Sequence, residues 1–568
     1  MNNVKNLPIS GGKAVVECLK AHNVKYVFGL IGSATMELFD ALYDEKSITF
    51  IDVRDERTGT HIADAFARAS GSHGVIIAGQ NGPGATNLVT GVAQAKAAFS
   101  PLVSIAGAIA TEHQGKDAFQ EVDQQKLFEP ITKKTFSIKD TASIAEELNT
   151  ALNLSIHGKW GPVHINLPRD VLAGSESFNS FKTEINIDNK KVNENDLKKI
   201  ISLIEHSSKP VIICGAGVKN SKTHNEAILL SKKLNVPIVS SAGHGDVISS
   251  EYELYGGQMG PRGNKIASSL VKNADLILAI GTRLGFNSTF YSYDNISKTA
   301  KIVQVDIDPI AIGRYFPVEV GIQNDVKIFL DNLIAEIKNK VFSKSNEDWV
   351  QNFVKEKSNY YKKRDENADV NSKIIQPSGL FKELRDIMPK NSSITLDAGT
   401  LCLQATDEFN FFEPKSLFTP LDFGLVGFSF AAGLGVKLAK PNSTVFSLMG
   451  DGGFGMTVSE LSTAVHHNIN TITIVMNNKS WGAEKAYQRD FYDERYIGAD
   501  INSPPFHELA EIYGAKGYYV IELKNFKKAI SDALVCNKPA IINVEVDPKA
   551  LYSFRKDSFK HRSNDSKK

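Results

Sequence analysis

Short apolar runs alternate with stretches of helical period along most of the chain. KYVFGL gives way to the amphipathic TMELFDALYD, and ITFIDV, GVIIAG and PLVSIAGA follow. Apolar runs bounded by turn residues and separated by helices predict βαβ units around a buried parallel sheet. PVIICGAG, ADLILAIGTR and KIVQVDIDP repeat the pattern in the middle of the chain, and TVFSLMGDGGFGMTVSELSTAV and TITIVM repeat it again near the end. The sequence turns polar near residues 176–196 and around 343–376, which read as linkers or linker-flanking helices. Blocks at 1–178, 197–342 and 377–550 result, followed by a basic polar tail at 551–568. The expected fold class is α/β, with three Rossmann-like, doubly wound parallel-sheet domains.

Length agrees, since 568 residues are too many for one core. Lys+Arg 65 against Asp+Glu 64 leaves a formal charge of +1, so no global field points to nucleic acid or to an anionic membrane. Any anion has to be bound locally. The first residues lack the basic start and apolar core of a signal peptide, and no apolar run approaches the ~18 residues of a membrane span. A cytoplasmic protein is expected. Cys18, Cys214, Cys402 and Cys536 are widely spaced without a Cys-x-x-Cys pair, so they read as ordinary buried thiols.

Chemistry concentrates where strands run into glycines. In the first block GVIIAG is followed by QNGPGATN, and in the third an apolar strand leads into GDGG, Gly450 to Gly453, and then a helix. Glycines there let backbone N–H groups approach a phosphate. Asp451 puts a carboxylate at the same place, which is compatible with a phosphate if a hard cation such as Mg²⁺ lies between them. The next strand, TITIVM, ends at Asn477 and Asn478, at the sheet edge where open α/β sheets bind ligands. Taken singly, GDGG is a common turn and Asn-Asn a common strand end. One helix apart, they form a far more specific signal.

This arrangement resembles the thiamine-diphosphate motif, in which GDG is followed at a set interval by NN. The resemblance implies that Asp451, the Asn478 side chain and the Ser480 carbonyl bind Mg²⁺, with Gly452 and Gly453 in the turn beside thiamine diphosphate. DAGT, Asp397 to Thr400, resembles a second diphosphate contact through Gly399 and Thr400, and reads equally well as a plain βα turn. In LDFGLVG, Gly424 matches the glycine whose carbonyl accepts from the cofactor's amino group, and Val426 the apolar wedge between its rings. DVRDERTGTHIADAFARASG resembles the segment whose glutamate, here Glu56, activates the aminopyrimidine. RDER alone would read as a solvated charge run, yet a Gly/Ala-rich helix suited to close packing follows it. The family also places Asn81 and Gln120 near the cofactor. A homodimer or homotetramer is implied, with the glutamate from one chain and the metal site from another. GAG, Gly215 to Gly217, is too weak a fingerprint to predict a flavin.

Within the superfamily, GPGATNLVTG and DAFQEVD are similar to acetolactate synthase. That family's reaction centre shows Pro-Gly-Gly-Ala and Met-Val followed by Trp, where this chain has IGSA, Ile31 to Ala34, and WGAEKAYQ, Trp481 to Gln488. Those positions, with QNGPG, FQEVDQQKLFE, WGAEKAYQRDFYDER and FRKDSF, resemble sulfoacetaldehyde acetyltransferase. That likeness implies conversion of sulfoacetaldehyde and phosphate to acetyl phosphate and sulfite. The alternative is acetolactate synthase-like condensation of 2-oxo acids. Two anionic substrates call for fixed donors; Lys485 in the catalytic centre, and Arg489, Arg495 and Arg555 as substrate contacts, are the candidates. The same charges suit the solvated face of an amphipathic helix. The expected partners are small molecules, neither nucleic acid nor membrane.

Overall fold

The computed structural model describes residues 7–182, 190–342 and 345–554, apart from the side chain of Cys402. The first block contributes β1 (Tyr26–Gly29), β2 (Thr49–Asp52), β3 (Gly74–Ala78), β4 (Leu102–Ala108), β5 (Thr135–Ser137) and β6 (Val163–Pro168). The middle block contributes β7 (Pro210–Cys214), β8 (Ile238–Ser240), β9 (Tyr255–Gln258), β10 (Leu276–Ile280), β11 (Lys301–Asp306) and β12 (Val320–Gln323). The third contributes β13 (Ser392–Leu396), β14 (Leu417–Phe418), β15 (Thr444–Gly450), β16 (Ile472–Asn477), β17 (Lys516–Val520) and β18 (Ala540–Glu545).

Among the described residues these form three six-stranded sheets, parallel throughout, as the uninterrupted apolar runs require. The middle sheet runs β9-β8-β7-β10-β11-β12, the order of a dinucleotide-binding fold. The outer two run β2-β1-β3-β4-β6-β5 and β14-β13-β15-β16-β18-β17, which is one order used twice. In that order the winding reverses between the first and third strands of the block, so a crevice opens beyond their carboxyl ends. Asp397–Thr400 and Gly450–Gly453 meet at that point in the third block; Ile31–Ala34 and Gln80–Gly82 meet at it in the first.

Helices α1 (Glu56–Ser70), α2 (Gly82–Ala97), α3 (Thr400–Gln404), α4 (Ser429–Ala439), α5 (Asp451–Gly455) and α6 (Gly482–Phe491) carry the candidate residues. Asp55 caps α1 by accepting from Arg57 N, and Gly71, at φ 71°, ends it in the left-handed conformation glycine tolerates. Small residues let α1 and α4 cross almost backbone to backbone: a Cβ on Gly435 would lie 2.0 Å from the Ile62 carbonyl oxygen. Buried Glu460 fastens the same two blocks, accepting from Arg54 N, Thr58 Oγ1 and Thr463 Oγ1. Asp246 fastens the middle block to the third, pairing with Lys219 at 2.8 Å and accepting from the backbone of Ser416 and Leu417.

The polar stretch after 343 folds largely as a helix, Glu347–Glu366, opened by acids and closed by bases. Residues 183–189 of the earlier stretch, and 555–568 of the tail, lie outside the described residues. Cys18 and Cys214 are buried, and burial pushes both thiols up to about 12. Cys536 departs from the expected buried thiols: it caps a helix end and is partly exposed. No helix among the described residues is long and apolar enough to cross a membrane.

Candidate functional site

The register of β15 and β16 pairs Gly450 with Met476, so Asp451 and Asn477 leave the sheet side by side. The two asparagines have different work. Asn477 donates to Asn543 Oδ1 and accepts from Lys479 N, tying the strand end to β18 and forming the turn in which Lys479 takes φ 55°. Asn478 is buried one residue further on, its Oδ1 accepting from Ser480 N at 3.2 Å.

Asp451 opens α5 and is 1 % exposed. Its Oδ2 accepts from Ser503 Oγ at 2.6 Å, its Oδ1 has no partner among the described residues, and burial pushes the carboxyl above the usual carboxylate range. Ser480 Oγ and Thr400 Oγ1 are likewise buried without partners. A Cβ built on Gly482 would lie 3.0 Å from Asn478 Nδ2 and 3.9 Å from Thr400 Oγ1, which brings the loop after β13 against the turn after β16. Gly399 and Gly424 have φ of 118° and 76°, with nothing near where a side chain would stand. Buried polar atoms normally find partners. Orphaned hard oxygens beside open glycine backbone fit a divalent cation and a phosphorylated ligand.

Gly452 and Gly453 are glycines for a different reason. A Cβ on Gly452 would strike the Trp481 ring at 2.6 Å, and one on Gly453 would lie 2.7 Å from Asp397 Oδ2. Asp397, the first residue of DAGT, organises the crevice. Its carboxylate accepts from the backbone of Ala398, Gly427 and Phe428, although burial pushes it up to about 7. Half-buried Val426 sits directly before the Gly427 and Phe428 donors. Ser503, which orients Asp451, carried no local signal.

In the first block Glu56 is 3 % exposed and begins α1. Asn87 of α2, unremarked in the sequence, donates to Glu56 Oε2 at 3.0 Å. Asn81 donates weakly to the Phe119 carbonyl at 3.4 Å, and Gln120, at φ 63°, lays its backbone against Gly82. No hydrogen bond or ion pair among the described residues joins this group to Asp451, Asn478, Ser480 or Thr400.

The candidate cations that are described each have a partner of their own. Lys485 is paired with Asp500 over the Tyr496 ring, and Arg489 is paired with Asp490 at 2.6 Å. Exposed Arg495 donates to the Tyr492 carbonyl at 3.2 Å, and Arg555 lies outside the described residues. A neighbouring carboxylate satisfies a lysine or arginine as well as a substrate would. A separate cavity of about 330 Å³ at the edge of the middle sheet, between Gly217, Gly281 and Asp306, is lined by none of the candidate residues. The GAG glycines beside it are explained by packing, since a Cβ on Gly217 would lie 2.6 Å from Gly281 Cα.

Three family models match the chain. Residues 9–127 match the thiamine pyrophosphate enzyme N-terminal TPP binding domain, 197–333 its central domain and 397–544 its C-terminal TPP binding domain. The probable acetolactate synthase large subunit of Methanocaldococcus jannaschii is 34% identical over 558 residues, covering 95% of this chain and 92% of that protein. Sulfoacetaldehyde acetyltransferases of Alcaligenes xylosoxydans xylosoxydans and Castellaniella defragrans are 30% and 31% identical over 577 residues, each alignment covering 96% of this chain and 94% of the relative.

Proposed function

The chain belongs to the thiamine pyrophosphate enzyme family, and from that premise we propose a cytoplasmic, Mg²⁺-dependent acetyltransferase that converts sulfoacetaldehyde and phosphate to acetyl phosphate and sulfite. Bound thiamine diphosphate supplies the carbon that adds to a carbonyl and the electron sink that follows. Asp451, Asn478 and the Ser480 carbonyl hold the cation, and Gly399 and Thr400 contact the diphosphate. Gly424 and Val426 seat the aminopyrimidine, and Glu56 shares a proton with its ring nitrogen, with Asn81 and Gln120 facing the reacting end. Glu56 and Asp451 sit in separate crevices of the chain, so the active unit is read as a homodimer or homotetramer in which one copy faces another.

The observation that carries the choice of reaction is the start of α6. It begins against Asn478 and Thr400, and the residues there are Trp481-Gly-Ala-Glu-Lys485, without the Met-Val of acetolactate synthase. Condensation of 2-oxo acids is the competing reading, favoured by the 34% identity to the probable acetolactate synthase. Assays of purified protein with Mg²⁺ and thiamine diphosphate separate them. Sulfite from sulfoacetaldehyde, with acetyl phosphate formed only when phosphate is added, is the expected result. Efficient acetolactate formation from pyruvate without sulfite release from sulfoacetaldehyde would sink it.

A further inference from the structure

Glu56 is gripped by two residues one helical turn apart on α2. Gly84 and Asn87 share a face of that helix at i and i+3. Asn87 Nδ2 donates to Oε2 at 3.0 Å, and Gly84 lies against the other oxygen, where a Cβ would come to 3.0 Å from Oε1. Oε1 accepts no hydrogen bond among the described residues. Asn87 itself is exposed on the chain's surface, so its amide is not there to fill a core.

We propose that Asn87 is a positioning residue for Glu56: it fixes the plane of the carboxyl through Oε2 and leaves Oε1 as the oxygen that exchanges a proton with a bound ring nitrogen. The proposal rests on the thiamine-diphosphate reading above. The residue therefore sets the direction in which Glu56 points.

Calorimetric titration of the full-length protein with thiamine diphosphate and Mg²⁺, repeated from acid to mildly alkaline pH in buffers of different ionisation enthalpy, reads affinity and protons exchanged together. Asn87→Ala should weaken binding about tenfold at neutral pH, the scale of one lost hydrogen bond to a charged group. Asn87→Asp sets a second carboxylate beside Glu56, and the two then share one proton, so the pH midpoint of binding should move upward by about one unit or more. Asn87→Gln, which keeps the amide, should restore most of the affinity. Melting temperatures of Asn87→Ala and Asn87→Gln without cofactor should stay near the wild-type value, because the Asn87 side chain is exposed. If Glu56→Gln alters proton exchange on binding while the Asn87 variants keep wild-type affinity and pH midpoint, the proposal is wrong and the functional reading stands. Absence of binding by the wild type overturns both.

Discussion

Replacing Asp451 by asparagine removes one charge while keeping the shape of the side chain. Without metal, the native carboxylate is 1 % exposed, with one oxygen bonded to Ser503 and the other unpartnered. The amide keeps the Ser503 bond through its own oxygen and carries no charge to desolvate. Burial of a poorly compensated polar group costs on the order of 1–2 kcal/mol on protein mutational scales, so Asp451→Asn should stabilise the metal-free protein by about that much. For a block the size of the third, that is a rise in melting temperature of roughly 2–8 °C. With thiamine diphosphate and Mg²⁺ at a hundredfold excess over their dissociation constant, the wild type gains about 2.7 kcal/mol, and the variant, short of a charged ligand, forfeits most of it. The order of the two melting curves should therefore reverse between EDTA and saturating Mg²⁺ with cofactor. Differential scanning calorimetry of both proteins under both conditions decides it. A variant that melts below wild type in EDTA, or one that gains as much from the ligands, refutes the reasoning that Asp451 is destabilised in order to hold a cation.

Gly435→Ala should destabilise the chain by about 1–3 kcal/mol or more, because the added Cβ meets the Ile62 carbonyl oxygen at 2.0 Å and both walls are backbone; an unchanged urea midpoint would mean the helices do not cross so closely. Stability should also fall as pH drops from about 6.5 toward 4: burial holds His61, His164 and His244 down to about 3 and His73 to about 4, so the unfolded chain takes up protons first in that window. Buried Asp397 and Asp407, pushed up to about 7 and about 6, act oppositely by losing stability as pH rises through those values, as do Asp64, Asp306, Glu408 and Glu460, whose carboxyls burial also raises, so the histidine share is the part of the slope that His164→Gln should remove. Equal urea midpoints at neutral pH and near pH 5 would contradict this.

The fold class could be read from sequence because strands buried on both faces leave long apolar runs, and GDGG and Asn-Asn because each motif is local. Strand order could not, since periodicity says where strands are and nothing about which become neighbours. The same limit hid the partners that tune the candidate site. Asn87 meets Glu56 across 31 residues of sequence, and Ser503 meets Asp451 across 52. It also explains Lys485, whose charge pairs with Asp500 fifteen positions on. A charge pattern names no partner until the chain is folded.

The repeated strand order of the outer sheets makes the chain an approximate tandem, and α1 against α4 is the contact between its two copies. Exchanging the copies takes the connection after β2 onto the connection after β14. The first leads into Glu56 and the second carries Gly424 and Val426, so one connection has become acidic in one copy and apolar in the other. The crevices have diverged in the same way, with the carboxylate of Asp451 after β15 where the matching connection after β3 carries the amides of Gln80 and Asn81. A ligand with its rings at one end and a charged tail at the other has no twofold axis of its own. Holding it between equivalent surfaces requires that the symmetry of the scaffold be broken in side chains alone, which leaves the backbone of each copy free to keep the same winding.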